Sequence, residues 1–134
     1  MKRFLLCFFV FGIVLDVYPE DIKLKCWIVS GNRDDADWTA QSVSNHIDGV
    51  NQIYSQVCMK FTIHSISSTN DAYLANVNLT NTVQWMTLTS IEQNTGMLEL
   101  YFVPVVRGGA TAFQTSGGIV IGPDANTRTI AHEI

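Results

Sequence analysis

The sequence predicts an α/β fold built on a mixed, twisted sheet. Three observations carry that expectation. A run of period-two apolar alternation at 21–30 is followed by a long period-3.6 stripe at 38–58 and then by renewed alternation from 59, the pattern of a βαβ unit. A later stretch, MLELYFVPVV at 97–106, becomes apolar on both faces, as a central parallel strand does. The length, 134 residues, is enough for one domain and too short for two.

The first segment stands apart. MKRFLLCFFVFGIVLD has a basic start at Lys2 and Arg3, then an apolar run from Phe4 to Leu15 closed by Asp16. That run is shorter than the roughly 20 residues needed to cross a bilayer and matches a secretory signal peptide. Residues 1–19 are therefore read as a signal peptide and excluded from the fold, and residues 20–134 as the domain. The alternative is a buried N-terminal strand or helix. Secretion would place the protein outside the cytoplasm, in a periplasmic or extracellular setting, with no stable membrane insertion once the leader is removed. Removing Cys7 with the leader leaves Cys26 and Cys58, an even count that an oxidising compartment permits to pair. Free cysteines are equally common as small buried apolar groups, so both readings stay open.

DIKLKCWIVS opens the domain as a strand: Ile22, Leu24, Cys26 and Ile28 alternate with Lys23 and Lys25, and the end turns wholly apolar. GNRDDAD breaks it and offers Asp35 and Asp37 as helix N-caps. Val43, Ile47, Val50, Tyr54 and Val57 then lie on one helical stripe, with His46, Asp48 and Gln52 off it. In MKFTIHSIS, Met59, Phe61 and Ile63 alternate with Lys60, Thr62 and His64, which reads as the second strand, parallel to the first.

The middle, 67–96, is polar; Val83, Met86 and Ile91 suggest a short helix within NTVQWMTLTSIEQ. Asn78-Leu79-Thr80 is an N-glycosylation sequon, but chance matches to that triplet are common and it carries no weight by itself. After the strand at 97–106, the pairs Gly108-Gly109 and Gly117-Gly118 bracket a short segment, 110–115, and Ile119, Val120 and Ile121 form a further strand. Pro123-Asp124-Ala125-Asn126 initiates a last helix, capped by Asp124 or Asn126. Trp27, Trp38 and Trp85 read as packing residues.

A formal net charge of -4 with the eight Lys and Arg scattered excludes a basic stripe and argues against nucleic acid as a partner. The residue types that point to chemistry come last: RTIAHEI, 128–134. Zinc-dependent hydrolysis needs two imidazoles on one side of the metal, an open position for water, and a carboxylate beside that water. Histidines at i and i+4 of a helix share a face, and a Glu directly after the first reaches the water. His132 and Glu133 supply the first half of that arrangement. The second His would stand two positions past Ile134. His46 and His64 are the other imidazoles and have no partner at ligand spacing.

VNQIYSQVCMKF at the helix-to-strand junction, GGATAF…GGIVIG before the last helix, and RTIAHEI itself carry a resemblance. The chain from about Ile22 is similar to the N-terminal half of the catalytic domain of zincin metallopeptidases, most closely metzincins of matrixin or reprolysin type. The resemblance implies an α+β zincin-like fold, with the active-site helix packed on the sheet and the fold incomplete at its C-terminus. It implies Zn2+ as cofactor, His132 as a metal ligand and Glu133 as the general base. It further implies that Ala110, Thr111, Ala112 and Phe113 form an edge strand that pairs with a peptide or protein substrate by β-augmentation. The second His, the Gly after it, the third ligand and the Met-turn would lie past Ile134, so the sequence is expected to be a fragment of a secreted zinc metalloendopeptidase, inactive by itself. The rival expectation is a secreted, non-catalytic α/β module that binds a partner through its exposed strand.

Overall fold

The computed structural model describes residues 20–31, 38–92 and 96–134. Eleven elements follow one another: β1 Glu20–Ser30, α1 Ala40–Tyr54, a 3-10 turn Ser55–Val57, β2 Met59–Asn70, β3 Asn76–Asn78, α2 Thr82–Thr89, β4 Leu98–Phe102, β5 Val105–Arg107, β6 Ala112–Thr115, β7 Gly118–Ile121 and α3 Thr127–Glu133. The main sheet has five strands in the order β2-β1-β4-β7-β6, parallel throughout except for the antiparallel β6–β7 pair. A second, two-stranded parallel sheet pairs β3 with β5. The fold is α/β with a mixed sheet, and it starts with the expected βαβ unit.

Alternation along the strands divides the core in two. Leu24, Cys26 and Ile28 of β1, Leu100 and Phe102 of β4, and Ile119 and Ile121 of β7 project to one face, where Val43, Ile47 and Val50 of α1 and Ile130 of α3 cover them. Val29, Tyr101, Val103 and Val120 project to the other, under Leu88 of α2, Leu74 and Val77. Both faces are buried, which is why β4 and β7 read as nearly continuous apolar runs.

Helix α1 begins at Thr39, whose hydroxyl accepts from Ser42 N at 3.1 Å while Ser42 Oγ accepts from Thr39 N at 2.9 Å. This reciprocal capping box replaces the expected caps Asp35 and Asp37, which lie outside the described residues. The expected apolar stripe holds at Val43, Ile47 and Val50 and fails at Val57, which is 62% exposed. The helix tightens into a 3-10 turn after Tyr54, and three residues per turn rather than 3.6 carry Val57 off the stripe. Cys58 then takes a left-handed conformation, φ 57°, turning the chain into β2.

In β2, Leu24 pairs with Ile63 but Lys25 pairs with Ser65, so His64 is the extra residue of a β-bulge. The bulge flips the phase of the strand, so that Phe61, Ile63 and then Ile66 all reach the core. The expected single strand over 97–106 is two: Pro104 has no N–H to donate to the ladder, and the chain leaves the main sheet there and resumes as β5 in the small one. The helix expected in NTVQWMTLTSIEQ is present as α2, but its buried side carries Gln84, Leu88 and Thr89 whereas Val83 and Met86 are exposed.

Cys26 and Cys58 are both free thiols. Cys26 is paired at the level of Ile66, while Cys58 directly precedes Met59, which pairs with Glu20. Six residues of β1 separate the two levels, about 20 Å at strand rise, against the roughly 4.4–6.8 Å between Cα atoms that a disulfide requires. The paired alternative is corrected accordingly, and Cys26 is a buried apolar thiol whose desolvation pushes its pKa up to about 12. The signal-peptide stretch, 1–19, lies outside the described residues. Among those described, no helix is long and apolar enough to cross a membrane.

Candidate functional site

Helix α3 holds the residues that point to chemistry. Asn126 caps it: its Oδ1 accepts from Arg128 N at 2.9 Å and from Thr129 N at 3.0 Å, satisfying two of the donors a helix start leaves open. Of the two expected caps, Asn126 is the one used. Ile130 is fully buried and Ala131 nearly so, both against α1 and the sheet. The next residue, His132, is exposed, and Glu133 is half-buried. A helix with one apolar stripe on the core must present its neighbours outward, and His132 is one of these.

Helix α1 cradles α3 in three places. Tyr54 Oη donates to the carbonyl of Ala131 at 2.7 Å, one residue before His132. His46 Nδ1 lies 3.1 Å from Thr127 Oγ1, and the direction of that hydrogen bond follows the imidazole tautomer. Between them Gly49 lets the two helices approach so closely that a Cβ there would stand 2.6 Å from Thr127 Cγ2. Trp38 packs edge-on against both His46 and Phe102, ring centroids 5.4 and 4.8 Å away. His46 is thus engaged in helix packing, and His64 is exposed on the bulge of β2, at the opposite edge of the sheet from β6.

Strand β6 forms the other edge, beside α3. Gln114 Nε2 donates to the carbonyl of Glu133 at 2.6 Å, tying the edge strand to the C-terminal turn of the helix. The strand starts two residues later than the expected substrate-binding segment. Ala112 and Phe113 lie on it and are buried, while Ala110 and Thr111 precede it in the connection from β5. Thr111 contributes its carbonyl to Gly122 N at 2.8 Å and so is held against the start of the loop leading to α3. A cleft of about 510 Å3 opens between the start of β4, the β6–β7 hairpin and the end of α3, with Leu98, Glu99, Gln114, Gly117, Glu133 and Ile134 in its wall.

One wall of that cleft hides a polar cluster that pattern reasoning missed. Lys25 and Glu99 are register neighbours on β1 and β4 and are both buried. Lys25 Nζ pairs with Glu92 Oε1 at 2.5 Å, and the phenol of Tyr101 donates to Glu99. Burial, then the hydrogen bond to Glu99, then the charges of Glu99 and Glu92 raise the pKa of Tyr101 above its usual value. Alternation assigned Lys25 to a half-exposed start of β1, and nothing local marks Glu99 as buried; only the pairing of β1 with β4 brings the two together.

His132 and Glu133 are adjacent on α3, but no group of three or more His, Cys, Asp or Glu side chains that could hold a metal is assembled among the described residues. One exposed imidazole can serve as one ligand of a tetrahedral site and cannot make that site alone. The chain matches no known protein family, and no curated protein matches it either.

Proposed function

We propose that this chain is the N-terminal part of the catalytic domain of a secreted zinc metalloendopeptidase of zincin type. The observation that carries the reading is the setting of His132 and Glu133: consecutive residues on a capped helix, packed on the sheet and tied by Gln114 to an antiparallel edge strand. The resemblance supports it through the order of elements, with the βαβ start, the edge segment and the helix following in sequence. The imidazole of His132 is exposed and has no hydrogen-bond partner among the described residues, so its nitrogens are available to a metal. His132 would hold Zn2+ together with ligands carried by residues past 134, and the metal would supply Lewis acidity.

The chain's own residues then do three things. The carboxylate of Glu133 takes a proton from the attacking water and returns it to the leaving amine. The outer edge of β6, Ala112–Thr115, hydrogen-bonds an extended peptide as an added strand. Tyr54, Gly49 and His46 hold α3 so that His132 and Glu133 keep their orientation relative to that edge. The other reading, a secreted non-catalytic module that binds a partner through β6, uses the same edge and makes no use of Glu133.

Extending the reading frame past residue 134 separates them. The peptidase reading expects a His two positions on and a further His beyond it. In the extended protein, Glu133→Gln should keep about one zinc per chain and lower peptide turnover by about 10²–10⁴-fold, the usual contribution of a general base. His132→Ala should lose zinc first and activity with it, measured by metal analysis of purified protein. Full turnover in the Gln variant would refute the role of Glu133, and a frame lacking the second His would leave the binding module.

A further inference from the structure

The β3–α2 corner carries a second feature, independent of α3. We infer that Asn78 is an N-glycosylation site and that its glycan covers the exposed apolar side of α2. The inference rests on the export reading, since the modification belongs to a secretory lumen.

Asn78-Leu79-Thr80 is the one Asn-x-Ser/Thr triplet in the sequence. Every polar atom of Asn78 except one is engaged. Its N–H donates to Gln84 Oε1 at 2.8 Å, and its carbonyl accepts from Asn81 N at 2.9 Å. Its side-chain Oδ1 accepts from Thr80 N at 3.1 Å and from Thr80 Oγ1 at 2.9 Å. The amide nitrogen Nδ2 is thus the one uncommitted polar atom of a half-buried Asn78, beside a turn in which Thr80 and Asn81 are exposed. Bonding of Oδ1 to the Thr80 hydroxyl polarises the amide and fixes the side chain against Thr80. The sequon starts at the last residue of β3, which is paired with Arg107 of β5, and its Thr80 lies in the turn that follows.

The second observation is what lies beside it. Val83 is 70% exposed, Met86 54% and Tyr73 53%, which with Val57 are the four most exposed large apolar side chains among the described residues. Val83 and Met86 are one turn apart on α2, and Gln84 ties that helix to both Asn78 N and the carbonyl of Tyr73. Isolated exposed apolar residues need no explanation, but three around one corner form a patch. A glycan anchored at Asn78 is bulky and solubilising and starts at the rim of that patch.

In chemical terms Nδ2 attacks C1 of the first sugar of a lipid-pyrophosphate-linked oligosaccharide. The new N–C1 bond forms as the C1–O bond to pyrophosphate breaks; the lipid pyrophosphate leaves with the electron pair and Nδ2 gives up one proton. The chain supplies only the acceptor. Helix α2 covers the face of the sheet opposite to the one that α3 covers, so a glycan at this corner stands across the sheet from His132 and Glu133.

The test is cell-free translation of the full chain with eukaryotic microsomes, once with its own N-terminus and once behind a proven secretory leader, followed by protease protection and endoglycosidase digestion. The expected result is one mobility step on protected chain, removed by the endoglycosidase, absent in Asn78→Gln and Thr80→Ala, and retained in Thr80→Ser. Protected chain of unshifted mobility in the leader fusion overturns the site whatever the native N-terminus does, so failure of export and failure of the site are told apart. A step that persists in Asn78→Gln overturns it as well. The trimmed protein should bind more of a hydrophobic dye than the glycosylated one, and equal dye binding overturns the covering role.

Discussion

Gly49→Ala is the perturbation that most directly probes how the helix bearing His132 is held. In an ordinary helix interior the change would stabilise, because Ala exceeds Gly in helix propensity by about 0.8–1.0 kcal/mol. Here the new Cβ would stand 2.6 Å from Thr127 Cγ2 and 3.2 Å from Thr127 Oγ1. Unbonded carbons rest at about 3.5–4.0 Å, so α1 and α3 must separate by about 1 Å or Thr127 must rotate away from His46. Overpacking of this kind costs about 1–3 kcal/mol, which exceeds the propensity gain. The net expectation is a loss of about 1 kcal/mol. Thr127→Ser removes the methyl and keeps the hydroxyl that His46 meets, costing about 0.8 kcal/mol alone for the lost carbon. Combined with Gly49→Ala it relieves the clash, so the double mutant should be more stable than the sum of the two single changes by about 1–2 kcal/mol. Urea unfolding of the wild type and the three variants, followed by far-ultraviolet circular dichroism, measures that coupling. Gly49→Ala that gains the full propensity term, or changes that add within about 0.5 kcal/mol, would refute the close approach of α1 and α3.

Stability should fall on the alkaline side. Cys26 and Tyr101 both have raised pKa values in the fold, so the folded state binds their protons more tightly than the unfolded chain does. Their contribution is complete below the ordinary values of 9.0 and 10.0 and is lost as pH rises through the folded values. For Cys26 that window runs from 9.0 to about 12. Urea midpoints between pH 8 and pH 11 should drop steadily, and Cys26→Val should remove part of the slope; a flat profile would contradict the burial of both groups. Gln84→Ala should cost roughly 2–4 kcal/mol, because it strands the carbonyls of Tyr73 and Asn76 and the N–H of Asn78, now bonded at 2.5, 2.7 and 2.8 Å. A loss below about 0.5 kcal/mol would mean that the Gln84 amide does not hold β3 in place.

What the sequence determined by itself was everything that periodicity carries. The period-two run of β1, the short apolar run of β7, the stripe of Val43, Ile47 and Val50, the parallel βαβ start and the Asn126 cap are all local or nearly local signals, and the chain follows them. The candidate pair His132-Glu133 was legible for the same reason, as adjacent residues on a helix whose cap and apolar stripe are written nearby. Tertiary structure decided what depends on partners distant in the chain. Val83 and Met86 looked like the inner side of α2, but Gln84 is drawn inward by the backbone groups of β3, which no periodic pattern announces. The bulge at His64 came from matching β2 to β1, and the departure of β5 at Pro104 from the availability of β3 as a partner. Gly49, Tyr54 and His46 read as ordinary positions on α1 until α3 packs against them. Cys26 and Cys58 were compatible with pairing until strand register set them about 20 Å apart, because register is a property of two strands together and neither strand encodes it alone.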